Sequence, residues 1–329
     1  MSTYQPPFVI TPLILNQVIE IGELMGNWAA MAGRASPLLR KENRIRTIQA
    51  SLAIEHNSLT TEQVTALMEG KRILAPAKDI QEVRNAILAY EKMSEWKSER
   101  LSDLLQAHQI LMMGLVDNPG QLRSGNVGVY REKQLIHMAP PASQVLRLMN
   151  DLLGWLKTTE LHPLIAGAIF HYEFEFIHPF ADGNGRMGRL WQTLILREWR
   201  SELAWLPVET LIHYQQDRYY QVLGQCDRQS SCTPFIEFIL ENIIFALQEG
   251  LGKSSALSEE MSEEMSPDLL DIEKRILQIL SNQPGRSAKS IADECEISAR
   301  TVERYLKALQ LKGKLQRVGA TKGGLWRVI

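Results

Sequence analysis

The sequence predicts a mainly α protein, with one short β-hairpin set into the helical body and a small separate domain at its C-terminal end. Three observations lead there. Apolar residues recur at helical spacing through most of the first 250 positions. Alternating, strand-like runs are scarce over the same stretch. Near its end the chain passes through GKSSALSEEMSEEMSP (252–267), which is small, acidic and short of large apolar side chains, and this composition reads as a linker.

Each element follows from its own pattern. LILNQVIEIGELM, TEQVTALMEGKRIL, VRNAILAYEKM, LSDLLQAHQILMM, ASQVLRLMNDLLGWL and LIAGAIFHYEFEFI carry their apolar residues three and four apart, so each is expected to be a helix burying one face. GNVGVYREKQLIHMAPP (125–141) is different. Its β-branched residues alternate with polar ones on both sides of Arg131-Glu132-Lys133, and Pro140-Pro141 stops it, which predicts a hairpin. A further helix, TPFIEFILENIIFALQEGL, precedes the linker. Beyond it, DLLDIEKRILQILS, AKSIADECE and ARTVERYLKALQLKGK read as three helices, and LQRVGATKGGLWRVI as two short strands around a glycine-rich tip. Helix, helix, turn, helix, hairpin resembles a winged helix-turn-helix.

Composition narrows the function classes. The chain has 329 residues, 45% apolar and 22% charged, enough for one large core and a second small one. A net charge of −2 and a pI near 6.4 exclude a protein that is basic overall. Contact with nucleic acid would have to come from a local patch, and residues 268–329 supply one, with twelve Lys/Arg against seven Asp/Glu. Arg300, Arg304 and Lys307 fall on the expected recognition helix and Lys322 on the wing tip, so DNA is a candidate partner; a dimerisation module with a solvated basic face is the alternative. Cys226, Cys232 and Cys295 form neither a metal-ligand spacing nor a disulfide framework and read as structural thiols of a reducing compartment. The opening MSTYQPPFVI has no basic stretch followed by an apolar one, and charge interrupts every apolar run before ~18 residues, which predicts a cytoplasmic protein with no membrane partner.

The chemistry concentrates in HPFADGNGRMGR (178–189). GNGRMG spells the G-x-G-x-x-G of dinucleotide-binding folds, but that fingerprint needs a strand before its first glycine and an acidic residue about 20 positions on. Here a helix precedes it, and no strands alternate with helices anywhere, so a nicotinamide site is not expected. The glycines still matter locally. Gly183 and Gly185 can take positive φ, so the N–H groups of Gly183, Asn184 and Gly185 can converge at the start of the next helix as a nest for an anion. Arg186 and Arg189 sit three apart in the first turns of that helix, where its dipole disfavours cations unless an anion lies close. Two cations there imply a polyphosphate. Asp182, a carboxylate among anion-binding groups, implies a bridging divalent ion such as Mg²⁺. His178, set by the rigid Pro179, can accept a proton from a hydroxyl nucleophile.

HPFADGNGRMGR also matches the Fic motif, HPFx[D/E]GNGRxxR, at every specified position, and the chain is identified by it as resembling the Fic family. The resemblance extends over about 100–245, taking in the hairpin, similar to the family's flap, and HYQQDRYYQVL, similar to the helix that closes over adenine. It implies a Fic-type helical core with a β-hairpin flap at 100–247, preceded by a helical N-terminal region at 1–99 and followed by a linker at 248–267 and the winged helix-turn-helix domain at 268–329. It implies a protein adenylyltransferase, moving AMP from ATP to a Ser, Thr or Tyr hydroxyl of a target protein, with the chain itself as a further candidate acceptor. On this resemblance His178 is the base and Asp182 the Mg²⁺ ligand. Gly183, Asn184 and Gly185 stabilise the α phosphate, Arg186 holds the β phosphate and Arg189 the γ phosphate. The flap around Val127, Gly128, Val129 and Tyr130 docks the target as an added strand, and Tyr219, Tyr220 and Asp227 are candidates for the nucleoside end, the two tyrosines being equally readable as core. Upstream, SLAIEHN (51–57) resembles the family's inhibitory motif, [S/T]xxxE[G/N], which implies that Ser51 and Glu55 face the cleft and that Glu55 occupies Arg189. His56 stands where the pattern has Gly or Asn, and its larger side chain is expected to need room beside Glu55. Removal of AMP, transfer of another nucleotide or of phosphocholine, a nucleotide-sensing transcriptional regulator, and a homodimeric assembly stay open.

Overall fold

The structure is a computed structural model and describes residues 4–32, 37–131, 134–251 and 267–295, with 302, 305, 306, 309, 315–318 and 325–328. The chain divides into two compact units, Met1–Ser254 and Ser255–Ile329.

The first unit is helical, as the apolar spacing predicts: α1 (Pro12–Ala32), α2 (Pro37–Ala53), α3 (Thr61–Met68), α4 (Ala77–Lys92), α5 (Leu101–Leu111), then the hairpin β1 (Gly128–Arg131) and β2 (Gln134–Met138), then α6 (Ala142–Thr158), α7 (Pro163–Ile177), α8 (Asn184–Trp199), α9 (Val208–Tyr214), α10 (Gln216–Gln229) and α11 (Thr233–Gly250). At the centre α7 packs along α8. Nearly every residue of α7 from Leu164 to Phe174 is buried, and this is why its sequence is apolar all round rather than striped. Gly188 lets the two helices approach, since a Cβ there would come within 3.0 Å of His171 Cδ2 on α7. Around this pair α1 packs on α11 and α2 on α9. The core of α2, α4, α5, α6, α7 and α8 side chains includes Ile48, Val83, Leu104, Met149, Phe170, Phe174, Leu190 and Trp191. The residues read as an N-terminal region and as a catalytic core thus share one hydrophobic interior.

Local chemistry sets the boundaries that matter for the site. The Thr60 hydroxyl accepts from Gln63 N while the Gln63 side chain accepts from Thr60 N, a capping box that starts α3. Pro163 opens α7 at a position needing no N–H donor. The hairpin is antiparallel, Gly128 facing Met138 and Arg131 facing Gln134, with a register shift between Val129 and Tyr130. It pairs with no third strand among the described residues. No described helix is long and apolar enough to cross a membrane.

In the second unit, α12 (Pro267–Asn282), α13 (Ala288–Cys295) and the antiparallel pair β3 (Leu315–Val318) and β4 (Leu325–Val328) surround a core of Ile276, Leu280, Ile291, Val302, Leu306, Leu309, Leu315 and Trp326. Trp326 N donates to Pro284 O at 2.8 Å, tying the strand pair to the turn after α12. Arg300, Arg304, Lys307 and Lys322 lie outside the described residues. All three cysteines are free thiols; Cys226 and Cys232 are buried, which pushes the Cys226 thiol up to about 12.

Candidate active site

The twelve-residue motif forms the bend between α7 and α8, and its residues are fixed there by neighbours distant in sequence. His178 ends α7 in the left-handed conformation, φ 50° and ψ 60°, its N–H donating to Phe174 O. Such backbone is uncommon for a side chain with a Cβ and is held only where surroundings over-determine it. Arg123 does this. Its Nε donates to His178 O at 2.8 Å and an Nη to Ile177 O, capping the negative end of α7. The same guanidinium donates to Gly125 O and Pro140 O, the two ends of the hairpin. One buried cation thereby joins the candidate base to the flap. The His178 ring meets Glu175 O through Nδ1 at 3.4 Å; a carbonyl only accepts, so Nδ1 carries a hydrogen.

Within the loop, Asn184 closes the turn with a matched pair of bonds, accepting from Phe180 N and donating to Phe180 O, both at 2.9 Å. His108 on α5 stacks flat on Phe180, centroids 3.6 Å apart. Its Nδ1 accepts from Gly120 N, so its Nε2 donates to Asp182 O at 3.0 Å. Burial pushes this imidazole down to about 4, which keeps it neutral and suited to that double role. Gly183 takes φ +83°, and a Cβ there would collide with Met112 Sδ at 2.6 Å.

Two expectations need correction here. Gly185 is not left-handed; it lies in the first turn of α8, and no positive φ is found there. It is glycine for space, because a Cβ would fall on Glu55 Oε1. The nest is also partly filled from within, since Gly183 N donates to Asp182 Oδ1 at 2.6 Å.

Both motif arginines are buried and both are met by carboxylates, as their place at a helix N-terminus demands. Arg189 Nη2 donates to Glu55 Oε1 at 2.7 Å and to Ser51 O, and Nε donates to the Ser51 hydroxyl. Burial opposes the charge of Arg189, but Glu55 together with Tyr219 and Tyr220 outweighs it, and the guanidinium's pKa is raised. Arg186 Nη1 donates to Glu82 Oε1 and Nη2 to Asp182 Oδ1, each at 3.2 Å.

Glu55 reaches Arg189 from the turn that ends α2. That turn is a Schellman motif: Asn57 N donates to Leu52 O and His56 N to Ala53 O, with His56 at φ 68°. The bulk of His56 is therefore not at issue, because its side chain is exposed. The position calls for Gly or Asn because the backbone is left-handed, and His56 adopts it at a cost of about 1 kcal/mol. Asn57 anchors the turn by donating to Asp79 O and Glu82 Oε2.

Of the nucleoside candidates, Tyr219 is core: it is 1% exposed, packed among Phe235 and Phe238, with its hydroxyl at 3.1 Å from His171 Nε2. As placed, it presents no surface to a nucleoside. Tyr220 is half-buried, its hydroxyl pushed up by burial and by the Glu55 carboxylate. Asp227 accepts from Tyr172 at 2.8 Å. In the flap, Val127 and Gly128 are half-buried, and only the strand backbone of Val129 and Tyr130 is described. Sequence reasoning missed Glu82, His108 and Arg123. Glu82 and His108 leave a faint signal, each being a polar residue on an apolar stripe, Glu82 with Ala86 and Ala89, His108 with Leu104 and Leu111; Arg123, in a loop, leaves none.

Comparison with known proteins agrees with this architecture. Residues 98–196 match the Fic/DOC family, and residues 269–316 match a winged helix-turn-helix DNA-binding domain. A curated relative from Nematostella vectensis, "Protein adenylyltransferase Fic", is 29% identical over 60% of this chain, and one of the same name from Drosophila erecta is 30% identical over 61%. The chain spans less than half of those proteins, 47% and 41% of their lengths. A fragment of Fic-1 from C. elegans, 21% identical with a TM-score of 0.59 over 73% of this chain and 72% of its own, shares the fold. The crystal structure of a Fic family protein from Desulfovibrio desulfuricans G20 superposes with a TM-score of 0.74 at 47% identity, over 99% of this chain and 98% of that one. With likeness at that level running from end to end, and with the whole motif gathered at the α7–α8 bend, the chain belongs to the Fic family.

Proposed function

We propose that this protein transfers AMP from ATP to a hydroxyl of a protein target and that Glu55 restrains it. The observation that carries the reading is the arrangement at the α7–α8 bend, where the His178 imidazole stands at the end of α7 beside a helix N-terminus bearing two buried arginines. In the proposed step the target oxygen attacks the α phosphorus, its proton passes to His178 Nε2, and pyrophosphate leaves with the electrons of the broken P–O bond. The N–H groups at the start of α8 stabilise the charge that develops on the α phosphate. Arg186 and Arg189 hold the β and γ phosphates, and the open edge of the hairpin takes the target chain as an added strand.

Asp182 is a suitable Mg²⁺ ligand: its side chain is 57% exposed, and Mg²⁺ binds through one or two carboxylates together with substrate phosphates. Among the described residues no cluster of three His, Cys, Asp or Glu side chains that could hold a metal is found. When bound, the ion would supply charge neutralisation between the phosphates.

The test is transfer of label from α-labelled ATP to protein by the Glu55→Gly variant, with and without His178→Ala. Loss of the base should lower the rate by about 10² to 10⁴ while ATP still binds. Undiminished labelling without His178 would overturn the role given to it. For the second unit, whose family match names DNA, we propose contact with duplex DNA. Full-length protein should retard duplex DNA at low salt and lose it steeply as salt rises; no retardation at low salt would remove this reading.

A further inference from the structure

The geometry points to Glu82 as a positioning residue for Arg186, a role that rests on the nucleotide-transfer reading above. Glu82 lies in the middle of α4 with its side chain 5% exposed, as is that of Arg186. Its two oxygens serve two different donors: Oε1 takes Arg186 Nη1 at 3.2 Å and Oε2 takes Asn57 Nδ2 at 2.8 Å. The orientation of Asn57 is settled by its other bonds, since Nδ2 also donates to Asp79 O and Oδ1 accepts from Leu59 N. Both neighbours of the Glu82 carboxylate therefore present N–H, and only a group that accepts on both oxygens satisfies them. Lys78 adds little, 4.0 Å away and largely exposed.

The second carboxylate on Arg186 behaves differently. Asp182 is 57% exposed and sits where the phosphates and their cation would arrive, so it can turn away from Arg186. Glu82 cannot turn away without leaving a buried cation and a buried amide unmatched. Arg186 Nε is itself buried and has no hydrogen-bond partner among the described residues. The fork is thus aimed by Glu82 alone once Asp182 is engaged elsewhere. Glu82 does not contact the nucleotide; it fixes where Arg186 can. Through Asn57 the same carboxylate is bonded to the turn that presents Glu55, so the two arginines of the motif are referred to one buried anchor.

The prediction is a split between rate and affinity. Replacing Glu82 removes a negative charge near the phosphate site, so attraction for ATP is not lost. What is lost is aim, and misplacement by ~1 Å costs on the order of 10² in rate. In the Glu55→Gly background, Glu82→Gln should lower kcat at least tenfold with the ATP dissociation constant, read by calorimetry, unchanged or tighter. Glu82→Asp keeps the charge one methylene back and should retain more of kcat than Glu82→Gln. This order separates positioning from packing, because Gln matches the shape of Glu and a structural role would make Asp the worse replacement. Melting curves accompany both, and if Glu82→Gln melts below the assay temperature, Glu82→Asp still must show reduced kcat at undiminished ATP affinity. Both variants matching Glu55→Gly alone, or Glu82→Asp falling below Glu82→Gln, would overturn the proposal and leave the transfer reading intact. Absence of transfer by Glu55→Gly itself would remove both.

Discussion

Arg186 and Arg189 stand one helical turn apart on α8, equally buried, yet the surroundings that hold them differ. The Arg189 fork, 1% exposed, is met by Glu55, which is 30% exposed and hangs from a turn beyond the end of α2. The Arg186 fork is met by Glu82, buried in the body of α4. A carboxylate on a helix-ending turn can leave when a better anion appears, and a phosphate offers more charge and more acceptor oxygens. One in mid-helix, bonded on both oxygens, stays. On the function proposed above, the difference teaches that the same chemical pair restrains a site or organises it according to whether the acid can depart.

The largest effect should come from breaking the departing pair. Glu55→Gly should raise AMP transfer by about 10², the gain expected when a misplaced nucleotide settles in line with its nucleophile; rates with labelled ATP measure it. A change below twofold would mean that Glu55 already stands aside in solution.

The smaller effect sharpens the same contrast from the other side. His56 holds the Schellman turn with left-handed backbone, a conformation glycine adopts without penalty. His56→Gly should stabilise the turn by about 1 kcal/mol and keep Glu55 seated more of the time, lowering basal transfer about fivefold while raising the melting temperature. Unchanged basal transfer with a raised melting temperature would show that the turn's stability and the occupancy of Arg189 are not linked.

How much of this was legible in the sequence depended on range. The motif was readable because its chemistry is contiguous: His178, Asp182, the glycines and both arginines lie within twelve residues. Most helices were readable because each buries a stripe, α7 and α8 being buried nearly all round instead, and the Glu55–Arg189 pairing because the second motif is itself a pattern. What stayed hidden were the residues that bond to the motif from other elements, Glu82 from α4, His108 from α5 and Arg123 from the loop before the hairpin, since no local spacing links them to the bend. The two misread positions failed for a related reason. Gly185 was expected to serve backbone freedom and instead makes room for a side chain from 130 positions away. His56 was expected to need room for its side chain beside Glu55, and instead its backbone is the constrained part, which the hydrogen bonds of the turn reveal.

The central claim is that Glu55 acts through Arg189. Its most direct test is the rate of transfer from labelled ATP in four proteins: the unmodified chain, Glu55→Gly, Arg189→Ala and the two combined. The account predicts a gain of about 10² from Glu55→Gly when Arg189 is present and none when it is replaced, because an arginine that is gone cannot be released. An equal gain in the Arg189→Ala background would contradict it.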